Sequence, residues 1–123
     1  PSSYARVKET VMTKYEVHQI NLTEAEIDMV NDGHIIHKYE LKRDMFGRNV
    51  PDLAVQGLAK NFYTHVANIT ADGLNAVFHF GNVGPEQMIE RLDQMASVSV
   101  GDIIVNTETN TKHVVTTIGF KEI

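Results

Sequence analysis

Apolar and polar positions alternate most clearly from Lys14 onward. Tyr15 and Val17, with Gln19, fall on one side, and Glu16, His18 and Ile20 on the other. This period of two predicts a strand over about 14–21. Directly after it, Thr23-Glu24-Ala25-Glu26 has the pattern of a capping box. Thr23 is placed to accept from the Glu26 backbone and Glu26 to reach back to Thr23, with Leu22 and Ile27 at the positions of a hydrophobic staple. A helix is therefore predicted from Glu24 to Asn31 or Asp32, ended by Gly33, which tolerates positive φ. In residues 34–46, Ile35, Ile36, Tyr39 and Arg43 suit a further helix, although Ile35-Ile36 would also start a strand. Gly47-Arg48-Asn49 reads as a turn. Pro51 then opens a helix that would carry Leu53, Ala54, Leu58 and Phe62 inward.

The second half begins with Tyr63 to Thr70, a run of β-branched and aromatic residues that predicts a strand. Leu74, Val77 and Phe78 then recur at helical spacing, with Thr70 or Asp72 as the cap and Gly81 as the stop. Gly81 to Pro85 reads as a loop, and Pro85 as the opening of a helix whose apolar stripe is Met88, Ile89, Leu92 and Met95. Asp102 to Asn106 and Lys112 to Ile118 flank the polar turn at 107–111, which predicts a hairpin. The order β-α-α-α-β-α-α-β-β predicts a single α+β domain over 1–123. It would have a small, mostly antiparallel sheet, helices packed on one face, and a C-terminal β-hairpin. Met12-Thr13-Lys14-Tyr15 looks like a translation start, so residues 1–11 are expected to be an extension or arm.

Composition narrows the classes. The 123 residues are 42% hydrophobic and 22% charged, which suits one globular domain. No run approaches about 18 apolar residues, so no membrane span is expected. Pro1 to Lys8 lacks the apolar core of a signal peptide, and there is no cysteine. Both fit a reducing cytoplasm. The net charge of −5 points away from nucleic acid. Lys38, Lys42, Arg43 and Arg48 form the best basic cluster, but Glu40 and Asp44 interrupt it, and it reads first as a solvated helix face. With His34, His37 and Tyr39, the residues Lys42, Arg43 and Arg48 are the candidates for contact with a partner.

Six histidines are the main chemical resource. His34 and His37 are three apart and would share a helix face, the one local pairing that suggests a metal. His18, His65, His79 and His113 lie in separate elements, and only a sheet register could bring them together. Gly81-Asn82-Val83-Gly84-Pro85 lacks both the lysine of a P-loop and dinucleotide spacing, and reads as a helix boundary. Pro1 lacks the setting of a catalytic amino-terminal proline, Ser97 and Ser99 lack a nucleophile elbow, and the sequons at Asn21 and Asn68 are chance matches. Glu86, Glu90 and Asp93 form a solvated acidic face. No catalytic residue and no cofactor is expected.

The segment from Ser97-Val98-Ser99-Val100-Gly101-Asp102-Ile103-Ile104-Val105 to Gly119-Phe120-Lys121-Glu122-Ile123, with Val77-Phe78-His79-Phe80-Gly81-Asn82 upstream, resembles a pattern in small phage and mobile-element proteins. It is similar to the YodL-like accessory domain of polyvalent proteins, over about the last 50 residues. The resemblance implies a mobile-element protein that binds a host or viral component inside a bacterium. No catalytic residue carries over. Physically, Gly101-Asp102 launches a strand, Ile103-Ile104-Val105 suits a strand covered on both sides, Gly119 turns the chain and Phe120 plugs the core. On that reading Phe120→Ala costs about 3–5 kcal/mol. The expected function is a non-enzymatic phage accessory protein that binds a macromolecule, with its specific contacts between His34 and Tyr63. The alternatives are a minor virion or assembly protein acting by homo-oligomerisation, and a small enzyme using histidines and carboxylates.

Overall fold

The computed structural model describes residues 12–45 and 49–123. Strand β1 (Thr13–Ile20) lies inside a six-stranded sheet. After it come α1 (Glu24–Asn31), α2 (His37–Asp44), α3 (Val50–Ala59), β2 (Tyr63–Ala71) and α4 (Leu74–Val83). A single 3₁₀ turn, Glu86–Met88, leads to β3 (Ile89–Arg91), β4 (Ile103–Asn106), β5 (Thr111–Thr116) and β6 (Gly119–Glu122). The strands run β3-β2-β1-β4-β5-β6, every pair antiparallel. The class is thus α+β, with β5 and β6 forming the terminal hairpin.

Two separate cores explain why the sheet is apolar on both faces where β4 and β5 cross it. Neighbouring residues on a strand point to opposite faces. On the first face, Tyr15, Val17, Ile69, Ile104 and Val115 pack with Val77 of α4 and with Val98. On the second, Ile20, Ile103 and Val114 pack with Leu41 and Met45 from α2 and its end, and with Val50 and Ala54 of α3. Ile103 and Ile104 are both fully buried, one in each core, as a strand covered on both sides requires. The helices are shared between the two faces rather than gathered on one. The consecutive apolar pairs Ile103-Ile104 and Val114-Val115 leave β4 and β5 no polar face to turn toward water at these positions.

The capping box at Thr23 is formed: the Glu26 amide donates to Thr23 Oγ1 at 3.1 Å, and the Thr23 amide donates to Glu26 Oε1 at 2.8 Å. No residue of α1 is buried, so local capping carries more of its stability than packing does. Leu53, Leu58 and Phe62 pack against the second core beside buried Ala54, as their spacing implied.

Four expectations are corrected. The stripe Met88, Ile89, Leu92 and Met95 does not form a helix. Ile89 pairs with Ile69 of β2, and the amides of Leu92 and Asp93 both donate to the carbonyl of Val66. The open edge of β2 thus takes backbone groups that a helix would have satisfied internally. Gly81 does not stop α4, which continues to Val83 and is capped by Gly84; Gly81 instead gives room for Val98, whose side chain a Cβ would strike. The start of α4 is capped at Gly73, not by a side chain of Thr70 or Asp72. The last strand does not run to Ile118. It ends at Thr116, turns through Thr117-Ile118, and returns as β6 from Gly119. The turn proposed at Gly47 and Arg48 lies outside the described residues.

Candidate functional site

The register of β1 against β2 contains one irregularity. Val17 pairs with Ala67, but His18 pairs with His65, leaving Val66 without a partner on β1. This bulge puts Val66 and Ala67 side by side in the first core and turns both His65 and Asn68 to the second face. An unbroken ladder would have set His18 opposite Val66. The Val66 carbonyl is held by the amides of Leu92 and Asp93 at 2.8 and 3.1 Å, which anchors the bulge.

Its consequence is a histidine–carboxylate cluster. The rings of His18 and His65 stack at 4.8 Å between centroids and 11° between planes. Glu16, two residues before His18 and on the same face, lies 2.9 Å from His18 Nε2 through Oε1. Asn68 Nδ2 donates to Glu90 Oε1 at 2.8 Å, which fixes the amide orientation and leaves Asn68 Oδ1 facing His65 Nε2, also at 2.8 Å. His65 Nε2 therefore carries the proton of that bond. One ligand-capable atom from each of Glu16, His18 and His65 lies within 4.8 Å of the others, and all three residues are half-buried. Among the described residues no other set of three histidine or acidic side chains converges in this way. The hydrogen bond from His18 holds the Glu16 carboxyl below its usual range. The nearby His65, His18 and Lys14 charges reinforce that against a smaller opposing effect of burial.

The histidine pair suggested by local spacing does not assemble. His34 precedes α2 and His37 is its first residue, so the two share no helical face; His37 Nδ1 instead meets Glu40 Oε1 at 3.2 Å. His113 pairs with Ile104 and so belongs to the opposite face of the sheet from His18, while His79 is exposed on α4. Of the partner-contact candidates, Lys42 Nζ donates to the Ile20 carbonyl at 2.7 Å, Arg43 stacks over Tyr39 and lies 3.6 Å from Asp44, and Arg48 falls outside the described residues. Lys38 is paired with Glu26 at 2.8 Å. The basic cluster is thus largely committed to intramolecular contacts.

The residues Gly101, Asp102, Gly119 and Phe120 act within the scaffold. Gly101 has φ +94°, and its carbonyl accepts from Tyr63 Oη at 2.6 Å. Buried Asp102 accepts through Oδ2 from the Ser99 amide at 2.9 Å and from Gln19 Nε2 at 3.0 Å. Burial raises its carboxyl to about 6, against the smaller opposing effects of those two bonds and of Lys42. Gly119 has φ +146° and opens β6. Phe120 is half-buried at the rim of the first core, edge-on to Phe78, so it lines the core margin and does not plug its centre.

A groove of about 580 Å³ lies away from the cluster, between the start of α3 and the β5–β6 hairpin, lined by Val50, Pro51, Ile118 and Phe120 among others. A second groove, of about 230 Å³, flanks the same hairpin beside Asn75 and Phe78. No described helix is long and apolar enough to cross a membrane. No protein-family model matches the chain, and neither the curated proteins nor the solved structures contain a match to it.

Proposed function

We propose that this chain is a bacteriophage accessory protein, working in the host bacterial cytoplasm, that binds a host or viral protein and does no chemistry on it. The phage setting rests on the resemblance of the segment around Gly101-Asp102 and Gly119-Phe120. The observation that carries the binding role is the β5–β6 hairpin. Ile118 at its tip is 97% exposed, grooves flank it, and β6 is the last strand of the sheet.

An edge strand of this kind recruits an extended partner segment by backbone pairing, with apolar side chains seated alongside. The Ile123 amide donates to the Lys112 carbonyl. By alternation, Lys121 also faces β5, and the N–H and C=O of Phe120 and Glu122 point outward. The net charge of −5 and the internal pairing of Lys38 and Lys42 favour a protein over a nucleic acid.

Glu122→Pro removes one outward N–H without touching the ladder to β5. Affinity capture from infected cells is expected to enrich one partner with the native chain and to lose it with Glu122→Pro, both baits being folded by circular dichroism. A partner kept equally by the variant, or none above a control bait, overturns the reading. Because an open edge also pairs with its own copy, light scattering is the companion measurement. A dimer that Glu122→Pro dissolves would favour the assembly role instead.

A further inference from the structure

We propose that Glu16, His18 and His65 form a binding site for a divalent first-row transition ion on the second face of the sheet, separate from the hairpin and independent of its role. The argument starts from the backbone. Residues two apart on a strand share a face, and a residue directly opposite on the neighbouring antiparallel strand lies about 5 Å away at Cβ. Glu16 and His18 satisfy the first condition, and the bulge at Val66 places His65 in the second position. Three donors are thus held on two paired strands near the middle of the sheet, where little backbone adjustment is needed to present them.

The donor set is chemically specific. Two imidazoles and one carboxylate suit zinc and its first-row neighbours better than calcium or magnesium, which prefer all-oxygen shells. A tetrahedral shell with bonds of about 2.0–2.1 Å sets its donors about 3.3 Å apart. The atoms here lie within 4.8 Å of one another, and the nearest pair, Glu16 Oε1 and His18 Nε2, is at 2.9 Å. Closing the difference takes movements of up to about 1.5 Å and turns the His18 ring out of its stack on His65, because a ligating lone pair lies in the plane of its ring. In the metal-free chain a proton bridges Glu16 and His18, and the ion takes its place. For a neutral His18 that proton passes to the other ring nitrogen, so the exchange releases none to solvent.

An outer layer accompanies these donors. His65 Nε2 donates to Asn68 Oδ1, and Asn68 in turn donates to Glu90. A ligating histidine whose other nitrogen is held in this way has its tautomer and ring plane set in advance. Asn68 is therefore a positioning residue for His65. Three protein donors leave one position of a four-coordinate shell open on the half-exposed side, so the site would exchange its ion and accept a small ligand from solvent.

The test is a titration of the full chain with Zn²⁺ and with Co²⁺. Zinc is expected to bind with one saturable equivalent and to raise the melting temperature. Cobalt is expected to give the intense visible absorption of a four-coordinate ion. His18→Gln and His65→Gln are each expected to weaken binding at least tenfold, Asn68→Ala by about tenfold, and His79→Gln not at all. Folding of each variant is checked by circular dichroism without metal. Should a variant fail to fold, imidazole NMR of the native chain decides the question, with His18 and His65 signals expected to shift on zinc addition while those of His79 stay in place. Binding with no saturable equivalent below about 1 mM, binding that survives both glutamine substitutions, or shifts confined to other histidines would overturn the proposal.

Discussion

Asp102 gives the sharpest test of how the bend before β4 is built. The residue is 8% exposed, and its carboxyl is raised from 3.8 to about 6, chiefly by burial. At about 1.4 kcal/mol per pH unit, that displacement corresponds to about 3 kcal/mol. The sign follows from the protons. Below about pH 3 the group is protonated in the folded and unfolded chain alike. Between about pH 4 and pH 6 the folded chain holds a proton that the unfolded chain releases, so stability falls as pH rises through this window and stays lower above it. Asp102→Asn keeps an oxygen to accept from Ser99 and Gln19 but cannot ionise. Urea unfolding of both proteins at several pH values from 4 to 7 isolates the effect, because every other titrating group cancels in the comparison. The variant is expected to gain about 2.4 kcal/mol on the native chain between pH 4 and pH 7, the remainder of the displacement lying below pH 4. A difference that stays constant within about 0.5 kcal/mol, or that moves the other way, would show that burial does not penalise this charge.

Two further substitutions probe the same end of the fold. Phe120→Ala is expected to cost about 2 kcal/mol in a thermal melt, less than a central core phenylalanine, because the ring is only half-buried. An unchanged melt would mean that it makes no effective packing contact. Gly101→Ala places a Cβ at φ +94° and 2.6 Å from Met45 Sδ, so a loss of at least about 2 kcal/mol is expected in urea unfolding. An unchanged midpoint would refute the close approach of Gly101 to Met45.

Much of the architecture was legible because local signals and tertiary packing agreed. The Thr23–Glu26 box, the alternation from Lys14, the β-branched run from Tyr63 and the paired segments around the turn at 107–111 each fixed an element. The failures came where packing overruled the local pattern. Met88 to Met95 has helical spacing, but the open edge of β2 recruited Ile89 and the amides of Leu92 and Asp93. Phe120 and Ile123 are three apart and face different cores across Lys121 and Glu122, so β6 carries no period-two pattern to announce it. The cluster of Glu16, His18 and His65 was half visible, since alternation already placed Glu16 beside His18. The approach of His65 depends on a one-residue bulge, and no local preference in Tyr63 to Thr70 announces it. The spacing of His34 and His37 misled because α2 begins only at His37.

The dipeptides Ile103-Ile104 and Val114-Val115 have a consequence for how the molecule comes apart. Each contributes one residue to either core, so β4 and β5 form a common partition between two apolar compartments. Removing the partition exposes both compartments at once. Two small cores that would each be marginal alone thereby melt as one cooperative unit. Damage to the helices of one face lowers the resistance of the other to local opening, through the strands they share.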